Sequence, residues 1–126
     1  MYIPQQLEIG GTIYEVIEKE NIVYENGTAY GLTDFINHEI FIDTTKGDDQ
    51  FIRDTFYHEL LHAIMIEAGT HLTEYGLSNK DMEHVIEYTA KMLRQTVEAN
   101  PGLFTYLTID SCEEVEEDVP NQVEPK

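Results

Sequence analysis

One segment of the sequence, residues 50–68, predicts a helix that other parts of the chain must cover on nearly every side. Asp48 can cap its N-terminus and Gly69 can end it. At about 100° per residue, apolar side chains fall on two opposite faces of this helix. They are Phe56, Leu60, Leu61, Ala63 and Ile64 on one face, and Phe51, Met65 and Ile66 on the other. Such a helix is buried, so its polar residues need partners inside the protein.

The segments on either side of this helix indicate an α+β fold. Residues 7–45 are rich in β-branched and aromatic side chains, and residues 39–43 have the strongest strand pattern. We expect a small antiparallel sheet of about three strands, with residues 39–43 at its edge. A second helix is predicted over residues 79–98, because Ser78 can cap its start and Asn100-Pro101-Gly102 stops it. Both helices are expected to pack with the sheet.

The charge of the chain restricts its partners. Its 126 residues include 25 acidic and 7 basic side chains, for a formal net charge of −18. This charge repels phosphate backbones and disfavours nucleic-acid binding. No apolar run approaches the roughly 20 residues that span a bilayer, and no signal-peptide pattern is present, so we expect a cytoplasmic protein without a membrane role. The single cysteine, Cys112, excludes an internal disulfide and an all-cysteine metal site.

The composition changes near residue 110. Residues 1–109 resemble one folded domain, whereas residues 110–126 contain seven acidic side chains and one lysine. Because this last segment cannot bury enough apolar surface to offset its ordering entropy, we expect it to be a disordered acidic tail.

The buried helix contains the motif HExxH, formed by His58, Glu59 and His62. Residues four apart on a helix are separated by about 40° and about 6 Å, so both imidazoles can bind one metal ion. Glu59 falls beside that ion, where it can take a proton from a water and pass it to a leaving amine. Two neutral imidazoles and a carboxylate suit Zn²⁺ and leave one position open.

The carboxylate that completes the metal site is expected from the second helix, where Glu83 and Glu87 compete. Glu83 borders the apolar stripe of that helix, whereas Glu87 points further toward solvent and has Lys91 four residues on. We therefore prefer Glu83. His71 and His84 are weaker candidates, although His71 could stabilise an oxyanion from its loop.

The sequence also resembles a known family. Residues 54–64 (DTFYHELLHAI), the segment from Glu83 to Ala90, and Asn100-Pro101 are similar to small phage and prophage zinc metallopeptidases of the ImmA/IrrE and minimal gluzincin type. Residues 30–34 and 39–43 resemble the turn and strand that precede the active-site helix there. The resemblance implies a zincin-like core, a phage or prophage origin and Glu83 as the third zinc ligand. This chain has Ile86 and Glu87 where the ExxAN form of the family has Ala and Asn.

These patterns predict a zinc-dependent metallopeptidase that hydrolyses peptide bonds in a protein or peptide substrate. His58, His62 and Glu83 would hold Zn²⁺, and Glu59 would act as general base and then as general acid. Two alternatives remain: a zinc-binding interaction module without catalysis, and an acidic decoy whose tail occupies a basic protein surface. Glu59 favours the enzyme, because metal binding alone does not need it.

Overall fold

The computed structural model describes residues 3–69 and 76–102, in which six strands precede two helices. The strands are β1 (Gln6–Ile9), β2 (Thr12–Glu18), β3 (Ile22–Tyr24), β4 (Gly27–Ala29), β5 (Gly31–Asp34) and β6 (Glu39–Ile42). The helices are α1 (Asp49–Glu67) and α2 (Asn79–Ala99). The chain divides into two units, residues 1–94 and 95–126, and every contact of the site described below lies in the first. No helix in the described ranges is both long and apolar enough to cross a membrane.

The α+β prediction is confirmed, but the predicted sheet is wrong in its size and in its pairing. Four strands form a mixed sheet in the order β1-β2-β6-β5, and β3 pairs with β4 in a separate hairpin. The pairs β1–β2 and β5–β6 are antiparallel, whereas β2–β6 is parallel. After β2 the chain forms the β3–β4 hairpin and then β5, which runs opposite to β6. The turn between β5 and β6 therefore brings β6 into the sheet in the same direction as β2.

The prediction that residues 39–43 lie at the sheet edge is also wrong. β6 pairs with β2 on one side and with β5 on the other. Its side chains explain this position, since Ile40 and Ile42 are fully buried and belong in the middle of a sheet. Among the described residues the edge strands of this sheet are β1 and β5, and β5 has only β6 as a strand neighbour.

Two apolar clusters cover α1 on different sides, but the predicted division of its apolar faces is wrong, because Leu61 and Ala63, expected on one face, belong to different clusters. On the sheet side, Ile52 and Ala63 of α1 join a cluster with Tyr14, Ile40 and Ile42. On the other side, Leu61 packs against Ile86 and Ala90 of α2. The buried position of α1 between these clusters fixes the direction in which its polar side chains can point.

Capping side chains start both helices at the predicted residues. The Asp48 carboxylate accepts a hydrogen bond from the Phe51 amide at 2.9 Å, and the Ser78 hydroxyl accepts one from the Asp81 amide at 3.1 Å. Gly69 follows α1 with φ of +75°, a conformation that favours glycine. The predicted domain boundary at residue 109 and the predicted acidic tail lie outside the described residues.

Partly buried polar contacts fix α1 at its C-terminal end and near its start. The Glu67 carboxylate, at its last residue, accepts hydrogen bonds from the hydroxyls of Thr12 (2.9 Å) and Tyr14 (2.8 Å). Burial, followed by the Glu67 carboxylate, raises the pKa of Tyr14 to about 12. In the second turn of α1, Asp54 forms an ion pair with Arg94 of α2. These contacts hold the helix in place against the sheet and against α2.

Asp43, directly after β6, organises the connection that leads into α1. Its carboxylate accepts hydrogen bonds from the backbone amides of Asn21 and Thr45, both at 2.9 Å, and lies 3.0 Å from the Lys46 ammonium. Hydrogen bonds from Thr45, then from Asn21 and Lys46, outweigh desolvation and hold the pKa of Asp43 well below its usual range.

Candidate metal centre

His58 and His62 lie one turn apart on α1, with their ring centroids 5.0 Å apart. Glu83 of α2 reaches both of them. Its Oε1 lies 3.1 Å from Nε2 of His58, and its Oε2 lies 3.3 Å from Nε2 of His62. The structure therefore brings together the three residues that the sequence analysis proposed as ligands.

The donor atoms of this group fit a zinc ion. Each of the three residues offers one ligand atom, and these atoms all lie within 4.8 Å of one another. In a tetrahedral zinc site with Zn–N and Zn–O distances of about 2.1 Å, neighbouring ligand atoms are about 3.4 Å apart. Nε2 of His58 lies 3.1 Å from Oε1 of Glu83 and Nε2 of His62 lies 3.3 Å from its Oε2, so each imidazole is at about that spacing from one oxygen of the carboxylate. Two imidazoles and one carboxylate are also a donor set that zinc accepts.

Glu87 also reaches the site, which the sequence analysis did not predict. Its Oε1 lies 2.9 Å from Nδ1 of His58, and its Oε2 lies 3.3 Å from Nζ of Lys91. The predicted ion pair with Lys91 is thus confirmed. The predicted difference in exposure is not found, since the side chains of Glu83 and Glu87 are 51% and 44% exposed. The two glutamates differ instead in which nitrogen of His58 they contact.

The sequence contains a signal that could have identified this role of Glu87. Glu83 and Glu87 have the same spacing of four residues as His58 and His62, so both pairs lie along one face of their helix. When two such faces meet, each carboxylate is within reach of an imidazole. The Glu87–Lys91 spacing was taken to mean that Glu87 points to solvent. A carboxylate has two oxygens, however, and can contact Lys91 with one and His58 with the other.

The contact of His58 with Glu87 bears on which of its nitrogens could bind a metal. When the imidazole is neutral and Nδ1 donates its proton to Glu87, the lone pair of Nε2 is on the side of Glu83 and His62, and a metal there would replace the hydrogen bond between Nε2 and Glu83. Burial alone would lower the pKa of His58. The hydrogen bond to Glu83, the charge of Glu59 and the hydrogen bond to Glu87 together outweigh burial and raise this pKa. Hydrogen bonds from His58 and His62 hold the pKa of Glu83 well below its usual range.

Glu59 is buried beside the two histidines, with 8% of its surface exposed. The Thr33 hydroxyl of β5 lies 2.7 Å from Oε1 of Glu59 and 3.0 Å from its backbone oxygen. This hydroxyl has one proton, so it donates to one of the two oxygens at a time. Burial raises the pKa of Glu59, while the Thr33 hydrogen bond and the charges of His58 and His62 act in the opposite direction.

Gly31 lets β5 approach α1 closely enough for the Thr33 contact. A Cβ atom at Gly31 would lie 2.8 Å from Cγ of Glu59 and 2.9 Å from Cγ2 of Thr55, which is closer than carbon atoms tolerate. Glycine is therefore the residue that fits at this position. Gly31 and Thr33 were noted in the sequence only as part of a family resemblance, and neither was assigned a role at the site.

The candidate metal centre opens into a groove of about 930 Å³. The three candidate ligands and Glu59 line it, together with β5, the β3–β4 hairpin and the first half of α2. Gly31, Leu32 and Thr33 of β5, a strand that pairs only with β6 among the described residues, also line this groove. A ligand in the groove would therefore have access to the metal centre and to β5 at once.

The structure describes one of the two weaker histidine candidates for the metal site. His84 stacks on Tyr88 with ring centroids 5.9 Å apart, and it does not line the groove. The prediction for His71 falls outside the described residues.

Comparisons of this chain with protein-family models, with curated proteins and with solved structures find no match.

Proposed function

We propose that this protein is a zinc-dependent peptidase with a zincin-like core, which hydrolyses peptide bonds in a protein or peptide substrate. One observation carries the proposal. A buried glutamate, Glu59, is held by Thr33 directly beside a group of two histidines and one glutamate whose ligand atoms lie within 4.8 Å of one another. A metal centre with an adjacent buried carboxylate can activate a water molecule and transfer its proton, as metal-assisted hydrolysis does.

His58, His62 and Glu83 would hold the zinc ion. When bound, zinc lowers the pKa of a water molecule from about 15.7 toward 7 and polarises the carbonyl of the scissile bond. Glu59 accepts the proton of the attacking water and then donates it to the leaving nitrogen. Because Thr33 occupies Oε1 of Glu59, we assign the proton to Oε2.

The environment of Glu59 suits this exchange of a proton. A general base works best when its pKa is near the operating pH, and burial moves the pKa of Glu59 upward from its ordinary value. The Thr33 hydroxyl keeps the carboxylate in one orientation. A site that only held metal would need neither the burial of Glu59 nor its contact with Thr33, which supports the enzyme over a silent zinc-binding module.

The sheet offers a place for an extended substrate. The sequence analysis expected residues 39–43 at the sheet edge, but β6 is flanked on both sides, so we assign the pairing with a substrate to the edge strand β5. A peptide that added a strand to β5 would run along the groove past Thr33 and Glu59. Its backbone would then be held by main-chain hydrogen bonds near the residues that cleave it.

The test combines metal content with catalysis. Purified wild-type protein and the variants Glu59→Gln and His58→Ala are analysed for bound zinc, and each is incubated with a degenerate peptide library. We expect about one zinc per chain in wild type and Glu59→Gln, and a large loss in His58→Ala. Hydrolysis should fall by about 10²-fold or more in Glu59→Gln, since it retains the shape of the side chain but not the base.

Two results would contradict the proposal in different ways. If wild type binds no divalent metal, the metal centre is wrong. If wild type and Glu59→Gln both bind zinc and neither cleaves any peptide of the library, the protein is a zinc-binding module and the assigned role of Glu59 is wrong.

A further inference from the structure

Within the part of the chain that the structure describes, four exposed aromatic side chains line the groove, and we call them the aromatic wall: Tyr24, Tyr30, Phe35 and Phe51. Their exposed fractions range from 38% to 56%. Tyr30 and Phe51 contact each other edge to face, with ring centroids 4.8 Å apart. All four belong to the hairpin, to β5 and its flanks, or to the first turn of α1.

The location of these rings indicates a binding surface. Single exposed apolar side chains are ordinary on protein surfaces. Several aromatic rings in one concave site, next to charged and metal-binding side chains, are typical of a ligand site. Tyr88 of α2 provides a contrast, because it is 62% exposed but does not line the groove.

The charges of the groove indicate the sign of its ligand. Among the described residues that line it, five are acidic and Lys91 is the one lysine or arginine. Asp54 pairs with Arg94, and Glu87 pairs with Lys91. A divalent metal would offset two further carboxylates at the metal centre. The acidic residue left over is Glu25, in the turn of the β3–β4 hairpin next to Tyr24.

We propose that the aromatic wall and Glu25 bind an extended, basic segment of a protein substrate. This proposal rests on the proposed peptidase function and names the class of its substrate. An arginine or lysine of the segment pairs with Glu25 and contacts the faces of the tyrosine rings. A large apolar side chain of the segment packs against the remaining rings, while the net charge of −18 attracts the basic segment from a distance.

The test measures binding separately from cleavage. It uses the full chain carrying Glu59→Gln and loaded with zinc, which prevents hydrolysis but leaves the groove intact. Fluorescence polarisation follows three labelled peptides of equal length, one with arginine and phenylalanine, one with glutamate and phenylalanine, and one with arginine and glycine. We expect the first peptide to bind about tenfold more tightly than either of the others, and to lose affinity when NaCl is raised from about 50 to about 500 mM.

Matched variants locate the binding. In the same background, Tyr30→Ala should weaken the arginine–phenylalanine peptide about fivefold, and Glu25→Gln should remove much of the preference for arginine over glutamate. Tyr88→Ala is the control, since it removes an exposed aromatic ring outside the groove, and it should leave binding unchanged. Glu25→Gln alters an exposed turn residue, so it tests the proposal even if Tyr30→Ala does not fold.

Three results would overturn the proposal: equal affinity for the glutamate–phenylalanine peptide, equal affinity for the arginine–glycine peptide, or an effect of Tyr88→Ala as large as that of Tyr30→Ala. The peptidase proposal can fail independently. Zinc-loaded wild type that binds the first peptide with the expected preference, but does not cleave it, supports the aromatic wall and contradicts the peptidase. Cleavage without any preference among the peptides supports the peptidase and contradicts the role of the aromatic wall.

Discussion

Removing Glu87 should weaken zinc binding although Glu83, and not Glu87, is the proposed third ligand. The structure places its Oε1 2.9 Å from Nδ1 of His58, where it holds the imidazole in the orientation that directs Nε2 toward Glu83. A hydrogen bond to a charged group contributes about 1.5–3 kcal/mol, and the half-exposed position of Glu87 places this one at the lower end. We therefore expect Glu87→Ala to lower zinc affinity about tenfold.

Two further variants show whether the loss of zinc affinity in Glu87→Ala comes from its contact with His58. Glu83→Ala removes a carboxylate that contacts both imidazoles, so its effect should be larger, about 100-fold or more. Lys91→Ala breaks only the half-exposed ion pair with Glu87 and should change zinc affinity less than about threefold. Affinities are measured by competition with a chromophoric chelator, and circular dichroism checks that each variant is folded.

The ranking of the variants decides between two interpretations of α2. If Glu87→Ala binds zinc as tightly as wild type, Glu87 does not orient His58 and is an ordinary surface residue, as its pair with Lys91 suggested from the sequence. If Glu87→Ala is more damaging than Glu83→Ala, the ligand role belongs to Glu87 and the assignment of Glu83 is refuted.

Three further predictions concern the surroundings of the site. Thr33→Val removes the hydroxyl that holds Glu59 but keeps the shape of the side chain, so kcat should fall about tenfold with KM unchanged. Thr33→Ser keeps the hydroxyl and should have the kcat of wild type, so an equal loss of kcat in both variants would contradict the role of the hydroxyl. Gly31→Ala should lower the free energy of unfolding by about 1–3 kcal/mol in denaturant titrations, whereas Gly27→Ala, where a Cβ meets nothing within 4 Å, should not. Asp43 has a lowered pKa, so its carboxylate stabilises the fold above the unfolded pKa of about 3.9 and this contribution is lost as the pH falls through the folded pKa. Wild type should therefore have a higher free energy of unfolding than Asp43→Asn at pH 7. Denaturant titrations below about pH 4 should show that this difference becomes smaller.

The helices could be predicted from the sequence, because their signals are local. A capping side chain, a 3.6-residue apolar period and a stop signal all lie within the segment that they describe. Predicted bounds of 50–68 and 79–98 correspond to Asp49–Glu67 and Asn79–Ala99 in the structure. The sheet order could not be predicted in the same way. The pairing of β2 with β6 depends on how the intervening hairpin and β5 fold back, and no residue in β2 or β6 encodes the direction of its neighbour.

The candidate site shows the same division between local and non-local signals. His58, Glu59 and His62 are recognisable because one helix turn fixes their mutual geometry, and Glu83 follows from the requirement for a carboxylate that faces them. Thr33 could not be found from the sequence, because its importance depends on β5 being the edge strand that crosses α1 at Glu59. The error about the sheet edge and the failure to identify Thr33 thus have one cause. The strand with the strongest apolar pattern is the one that a sheet buries, which leaves the weaker, glycine-led strand beside the helix. Gly31 in that strand provides the space that Thr33 needs to reach Glu59.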